Sequence, residues 1–282
     1  MNRNARRIIV PAIVVVLVAG VALAQYRSRR GGGYRSPRVQ DLTVDRNGVE
    51  TWPVDPNFKT DLFTFVRIQY DDYYGPGRQW LTDYPDSDLN FSFRLQQLTS
   101  LKVDPNPKVH RLTDDAIFDY PFIYMIEPGS LQFSEEEIVA LRRYCYNGGF
   151  LMVDDFWGPD EWNNFYDQIK RVFPDREPRE LPLDHPVFSM VYKLTEKPQL
   201  PSINHAMSYR GTERTWEDSR DPEVHYQGIF DDNGRMMVII CHNTDLGDGW
   251  EREGENEYYF REFSEKKAYP MGINIVFYAM TH

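Results

Sequence analysis

The segment "SEEEIVALRRYCYNGGFLMVDDFWGPDEWNNFYDQIKRVFP", from Ser134 to Pro174, restricts the chain to very few folds. Ser134 stands at an N-cap with Glu137 three residues on, a capping box, and Ile138, Leu141 and Cys145 recur on one helical face. Gly148 or Gly149 supplies the left-handed residue that ends such a helix. "FLMVDD" is then a strand, apolar on both faces. Pro159 near the first turn and acids behind it start a second helix, whose stripe is Trp162, Phe165, Ile169 and Val172 before Pro174. A buried strand between two helices of this length calls for crossover connections and parallel neighbours.

The flanking sequence repeats the pattern. "DLFTFVRIQY" (61–70), "KVHRL" (108–112) and "YPFIYMIE" (120–127) read as strands, the last apolar enough for the middle of a sheet. Asp86 or Ser87 caps a helix carrying Phe91, Leu95 and Leu98. After Pro174 come loops with short extended pieces. "EVHYQGIFDDNGRMMVIICHNTD" then forms a β-hairpin across Asp231-Asp232-Asn233-Gly234, with Asn-Gly as the turn. "YPMGINIVFYAMTH" closes as a buried or amphipathic helix. The expected fold is an α/β three-layer sandwich with a mostly parallel sheet and an added β-hairpin, one domain over 61–282.

The N-terminus carries a different message. Arg3, Arg6 and Arg7 precede an uncharged apolar run from Ile8 to Ala24 that ends in Ala22-Leu23-Ala24. Residues 1–24 are therefore read as a signal peptide, or as an N-terminal membrane anchor that stays in place. Either exports the rest, to the periplasm or the periplasmic face of the inner membrane. Residues 25–60 form a flexible basic Gly/Arg linker and lead-in. Residues 1–38 hold eight of the 32 Lys and Arg and none of the 43 acids, so the remainder has 24 basic against 43 acidic groups, a net charge of −19. That surface repels phosphate backbones, and no nucleic-acid partner is expected. The two cysteines, Cys145 and Cys241, are consistent with one bridge or with two buried thiols.

Candidate chemistry collects in acidic-aromatic loops. Asp154 and Asp155 end a strand before a helix, where α/β folds place ligands, and strand alternation turns only one of them to the crevice. Asp155, with Phe156, Trp157 and Trp162, is a candidate ligand or partner contact. The alternative is that the aspartate braces the turn while the rings cover the core. In "WLTDYPDSDLNF" Asp83, with Asp86 and Asp88, offers a second acidic group on the same edge. "HNTDLGDGWERE" spaces Asp245, Asp248 and Glu251 as weak cation candidates, although Asp-Gly pairs are ordinary turn chemistry. His185, in "LDHPVF", fixes a turn or joins the acids. The four histidines at 185, 205, 225 and 242 lack zinc-motif spacing, and neither a phosphate loop nor a serine elbow is present.

Several of these segments together resemble a known family. "FTFVRIQY", "WLTDYPDSDLNFSFRLQQLT", "YPFIYMIEPGSLQFSEEEIVALRRYCYNGGFLMVDDFWG", "LDHPVF", "GIFDDNGRMMVI" and "GINIVFYAMT" are similar, in order and spacing, to domain of unknown function 4159. This bacterial family is related to the class I glutamine amidotransferase-like superfamily, and the resemblance covers most of 60–282. It implies a flavodoxin-like or class I glutamine amidotransferase-like sandwich. It also implies export or membrane attachment, and an envelope partner of the kind found with MoxR-type ATPases and von Willebrand A-domain proteins. Active members of the superfamily carry a cysteine on the elbow after a central strand. Here Asp154, Asp155 and Phe156 stand in that region, so no amidotransferase residue transfers.

The expected function is accordingly an exported, non-catalytic binding or envelope-assembly protein with a degenerate amidotransferase-like site, its face lined by Asp83, Asp155, Phe156, Trp157 and Trp162. The rival is a metal-assisted hydrolase in which Asp83, Asp155 and His185 hold a divalent cation that activates water. Convergence of those side chains separates the two.

Overall fold

The computed structural model describes residues 45–58, 61–73 and 78–282. The signal or anchor reading of 1–24 and the linker up to residue 44 lie outside the described residues. Among the described residues no helix is long and apolar enough to cross a membrane.

Seven strands form one sheet: β1 (Val66–Ile68), β2 (Lys108–His110), β3 (Phe122–Ile126), β4 (Phe150–Asp154), β5 (Arg179–Glu180), β6 (His225–Phe230) and β7 (Met236–His242), in the order β2-β1-β3-β4-β7-β6-β5. The five strands from β2 to β7 pair in parallel, and β6 is antiparallel to both β7 and β5. The β6–β7 hairpin is therefore built into the sheet: β7 joins the parallel set beside β4, and β6 begins the antiparallel edge. Gly234 at φ 82° makes the turn, and the Asp231 side chain accepts from the Asn233 and Arg235 amides.

The principal helices are α1 (Asp86–Leu98), α2 (Glu135–Tyr146), α3 (Gly158–Val172), the short α4 (Ile203–Ser208), α5 (Leu246–Glu251) and α6 (Glu257–Tyr259). From α6 the chain runs through a π-helical stretch, Phe260–Ala268, into α7 (Tyr269–Thr281). Strand alternation splits the core in two. Val66, Ile68, Ile123, Leu151, Val153, Val238 and Ile240 meet Ile138, Leu141, Phe165 and Ile169 of α2 and α3. Phe65, Phe122, Tyr124, Met152 and Ile239 meet Phe91 and Leu95 of α1 and Ile273 and Ile275 of α7. This is a three-layer sandwich of the flavodoxin-like, class I glutamine amidotransferase-like arrangement.

The local signals operate as the sequence implies. Ser134 Oγ accepts from the Glu137 amide at 3.2 Å, and Glu137 Oε2 accepts from the Ser134 amide at 2.9 Å. Gly148 takes φ 103° after α2. Cys145 and Cys241 are both free and buried, in the cores on opposite faces of the sheet, so the sheet itself keeps them from bridging. Burial pushes the Cys145 thiol up to about 12, an inert group.

One expectation is corrected at α1. Neither Asp86 nor Ser87 caps it: Pro85 holds the N-cap position with no side-chain bond. Ser87 and Asp88 are instead drawn inward by Arg67, a fully buried guanidinium in the middle of β1. Arg67 Nε donates to both Asp88 oxygens at 3.1 and 3.0 Å, and Nη2 donates to Ser87 Oγ at 2.8 Å. Nη1 donates to the carbonyls of Trp80 and Thr82 at 3.0 and 2.8 Å. One charge thereby ties β1, the following loop and the first turn of α1 together, and it fixes the residue after Thr82.

Candidate metal centre

Strand order reverses between β1 and β3, and the crevice outside the carboxyl ends of the strands at such a point is where α/β sheets place ligands. Acids occupy that edge. Asp83 follows β1, Glu127 follows β3, Asp154 and Asp155 end and follow β4, and Asp245 follows β7. Asp83, Glu127 and Asp155, with Asn243 beside Asp245, have left-handed backbones at φ 61°, 53°, 56° and 59°. Side chains other than glycine adopt this region at a cost of about 1–3 kcal/mol each where it is strained, and such residues cluster at functional sites.

The Asp155 turn breaks strand alternation and separates the two neighbouring aspartates. Asp154 Oδ2 accepts from Tyr124 Oη at 3.1 Å and from the Gly247 amide at 3.0 Å, beneath the edge. Asp155 joins Asp83 and Asp245 instead, with one carboxylate oxygen of each within 4.8 Å of the others. Asp83 also meets Asp248 and Glu251 at the same spacing, so it links two groups. Asp155 Oδ1 accepts from the Trp157 indole N–H at 3.1 Å, and Asp245 Oδ1, as the N-cap of α5, accepts from the Asp248 amide at 2.7 Å. Asp83 Oδ2 is buried with no hydrogen-bond partner.

The electrostatics of this arrangement are unfavourable without a cation. Asp155 and Asp245 are only 6% and 5% exposed. Burial first, and then neighbouring carboxylates, push Asp83, Asp155 and Asp245 well above the usual carboxylate range. Asp154 is pushed up to about 7 by burial against the lowering effect of its hydrogen bonds. Glu127 and Glu251, also by burial, reach about 7. Two ionised carboxylates at this spacing repel by about 3 kcal/mol at an effective dielectric near 20. Protonation or a bound cation relieves that repulsion. Oxygen donors of this kind suit a hard divalent ion, Mg²⁺, Mn²⁺ or Ca²⁺.

The packing around the acids is close. A Cβ on Gly247 would stand 2.5 Å from Asp83 Oδ2 and 2.9 Å from both Tyr124 Oη and Ile126 Cδ1. Trp250 of α5 closes the floor, fully buried with its ring 4.4 Å from that of Phe91.

Asp83, Asp155 and Asp245, from three loops, thus converge, and Asp83 also meets Asp248 and Glu251, which pair with Arg252 Nε at 3.0 and 2.6 Å. Asp86 and Asp88 stay out, because Asp86 accepts from the Asn47 amide group and Asp88 is held by Arg67. Phe156 is fully buried between Phe165 and His242, at ring distances of 5.2 and 4.7 Å, and offers no surface to a partner. Trp162 stacks on it from α3. Trp157 is half-buried and braces Asp155. His185 is not brought to this edge. Its Nδ1 accepts from the Val187 amide at 3.3 Å, and its ring lies against Phe230 and Tyr278, near the hairpin turn at the other end of β7. Sequence reasoning missed Arg67 and Glu127. The one available signal for Arg67 was a lone charge inside an apolar strand.

Among the described residues one further donor group converges, Asp221 with His225 and His242. Clustered acidic and histidine side chains able to hold a divalent cation are therefore a property of the fold. No curated protein matches the chain. Residues 64–280 match the family model described as Domain of unknown function (DUF4159), and the chain that builds this acidic edge belongs to that family.

Proposed function

We propose that Asp83, Asp155 and Asp245 hold a hard divalent cation at the carboxyl edge, and that the protein is a metal-assisted hydrolase. The observation that carries this is the convergence of three carboxylates from the loops after β1, β4 and β7, within 4.8 Å of one another, with Asp155 and Asp245 buried and Asp83 partly buried. A bound ion would relieve their repulsion, lower the pKa of a bound water and polarise a substrate carbonyl or phosphoryl oxygen. Asp155 at the elbow after β4 replaces the cysteine chemistry of the wider superfamily with ligation. On the reading of residues 1–24 as an export segment, the site works outside the cytoplasm, next to an envelope partner.

Calorimetric titration of chelator-treated protein with Mg²⁺, Mn²⁺ and Ca²⁺ tests the site. Binding that is lost in Asp155→Asn and Asp245→Asn supports it, and absence of binding for all three ions removes it. Chromogenic carboxylic and phosphoric esters, assayed with the preferred ion, test the hydrolase. Turnover that needs the ion and disappears in Asp155→Asn is the expected result. Binding without turnover of any ester would return the protein to a cation-dependent binding role.

A further inference from the structure

The hairpin register places His225 directly opposite His242 across β6 and β7. His242 follows Val238 and Ile240 on the face that packs against α2 and α3. Asp155, by contrast, meets Asp83 and Asp245 beside Gly247, where Tyr124 and Asp154 belong to the opposite face. The two histidines therefore stand apart from the three-aspartate group. Asp221 completes the set, with Oδ1 at 3.7 Å from His225 Nε2, and one donor atom of each of the three residues lies within 4.8 Å of the others.

The bonds on the far nitrogens are the informative part. His242 Nε2 lies 3.2 Å from the carbonyl oxygen of Gly158. A carbonyl only accepts, so this nitrogen carries the proton and Nδ1 keeps the lone pair. His225 Nδ1 lies 3.2 Å from Glu180 Oε2, a carboxylate that likewise accepts, which assigns the lone pair of the neutral ring to Nε2, the nitrogen beside Asp221. Each imidazole is thus oriented through its outer nitrogen by an oxygen acceptor, one a backbone carbonyl and one a carboxylate. That is the outer-shell arrangement of metal-ligating histidines. Phe156 and Trp162, with ring centroids 4.7 and 5.2 Å from that of His242, wall the buried side, while the side chains of His225 and Asp221 remain 29% and 31% exposed.

We propose that Asp221, His225 and His242 form a second cation site, for a transition metal of the Zn²⁺ class. Two nitrogens and one carboxylate favour such an ion over Mg²⁺ or Ca²⁺, and three protein donors leave a position for water. Glu180 is a positioning residue. Without the ion the same contacts suit a protonated His225 bridging Glu180 and Asp221, and the ion replaces the proton on Nε2.

The test uses the full chain, stripped with chelator and held in excess Mg²⁺ so that the carboxylate edge is occupied. Titration with Co²⁺ is followed by visible absorption and by quenching of tryptophan fluorescence through Trp162. A single equivalent with nitrogen-ligand absorption bands, displaced by Zn²⁺, is expected. His225→Gln and Asp221→Asn, both at partly exposed positions, should abolish the bands. Glu180→Gln should weaken binding by about 10- to 100-fold, while Asp155→Asn should leave it unchanged. Absence of Co²⁺ bands in the unaltered chain, or bands that survive both His225→Gln and Asp221→Asn, would overturn the site. Loss of the bands in Asp155→Asn would show that the ion sits at the carboxylate edge instead.

Discussion

At the residue scale, Gly247 sets how closely Asp83 approaches its neighbours. Its amide donates to Asp154, and its missing side chain makes room for Asp83 Oδ2 and Tyr124 Oη. Gly247→Ala would put a methyl group 2.5 Å from that oxygen. Overpacking of this kind costs about 1–3 kcal/mol, and the contact is relieved most readily by turning Asp83 away. Mg²⁺ affinity is then expected to fall by roughly 10- to 100-fold, with far-UV circular dichroism unchanged. Calorimetric titration of Gly247→Ala beside the unaltered protein checks this; equal affinities would mean that Asp83 is not a ligand. Arg67 acts on the same aspartate from beneath. Leaving Asp88 buried and unpaired is the larger effect of Arg67→Met, about 3–5 kcal/mol of stability, read as a lowered denaturant midpoint. An unchanged midpoint would contradict the account of Arg67 as the brace of this loop.

At the element scale, α2 provides a control remote from the acids. The capping box at Ser134 satisfies amides at its first turn, so Ser134→Ala should cost about 1 kcal/mol in urea denaturation while leaving cation affinity unchanged. A loss of cation binding in that variant would mean that the edge depends on the whole layer and not on its own loops. The same contrast explains what was legible in the sequence. The α2–β4–α3 unit could be read because its caps, glycines and stripes act within a few residues of each other. The cation edge could not be assembled the same way. Asp83, Asp155 and Asp245 are 72 and 90 residues apart in sequence, and only the order β1-β3-β4-β7 makes their loops adjacent. Asp155 was found because it sits at a strand-to-helix junction. Asp245 was assigned to a separate loop because the short helix α5 has little periodicity to betray it. His225 and His242 escaped for a third reason: metal-motif spacing describes helices and ribbons, whereas these residues meet through hairpin register.

For the whole molecule, the carboxylates make stability depend on pH in a direction opposite to that of ordinary ion pairs. Asp83, Asp155 and Asp245 are held well above their usual range, and Asp154 and Glu251 reach about 7. Between pH 4 and 7 the folded chain retains protons that the unfolded chain releases, so this contribution is complete below about pH 4 and is lost as pH rises towards 7. At about 1.4 kcal/mol per pH unit, a single carboxylate displaced from near 4 to about 7 accounts for roughly 4 kcal/mol. Groups with lowered values, Glu180 and Asp231 among them, contribute stabilisation that is fully present above about pH 5 and lost as pH falls below it, so they do not alter the comparison at higher pH. His242, pushed down to about 4 by burial, works against the trend by favouring the fold as pH rises to 6.5. His185 and His205, also lowered by burial, act in the same direction as His242, and the larger set of raised carboxylates outweighs the three. Chelator-treated protein should therefore melt at least ~5 °C lower at pH 7.5 than at pH 5, given roughly 2–4 °C per kcal/mol for a domain of this size. Mg²⁺ at about 100 times its dissociation constant should return roughly 2.7 kcal/mol at pH 7.5. At pH 5, where protons hold the same carboxylates, the ion should change the melting temperature little. Differential scanning calorimetry at the two pH values, with and without Mg²⁺, separates these terms. A melting temperature that rises between pH 5 and 7.5 without the ion, or a Mg²⁺ shift equal at both, would mean that these acids do not share one cation-binding edge.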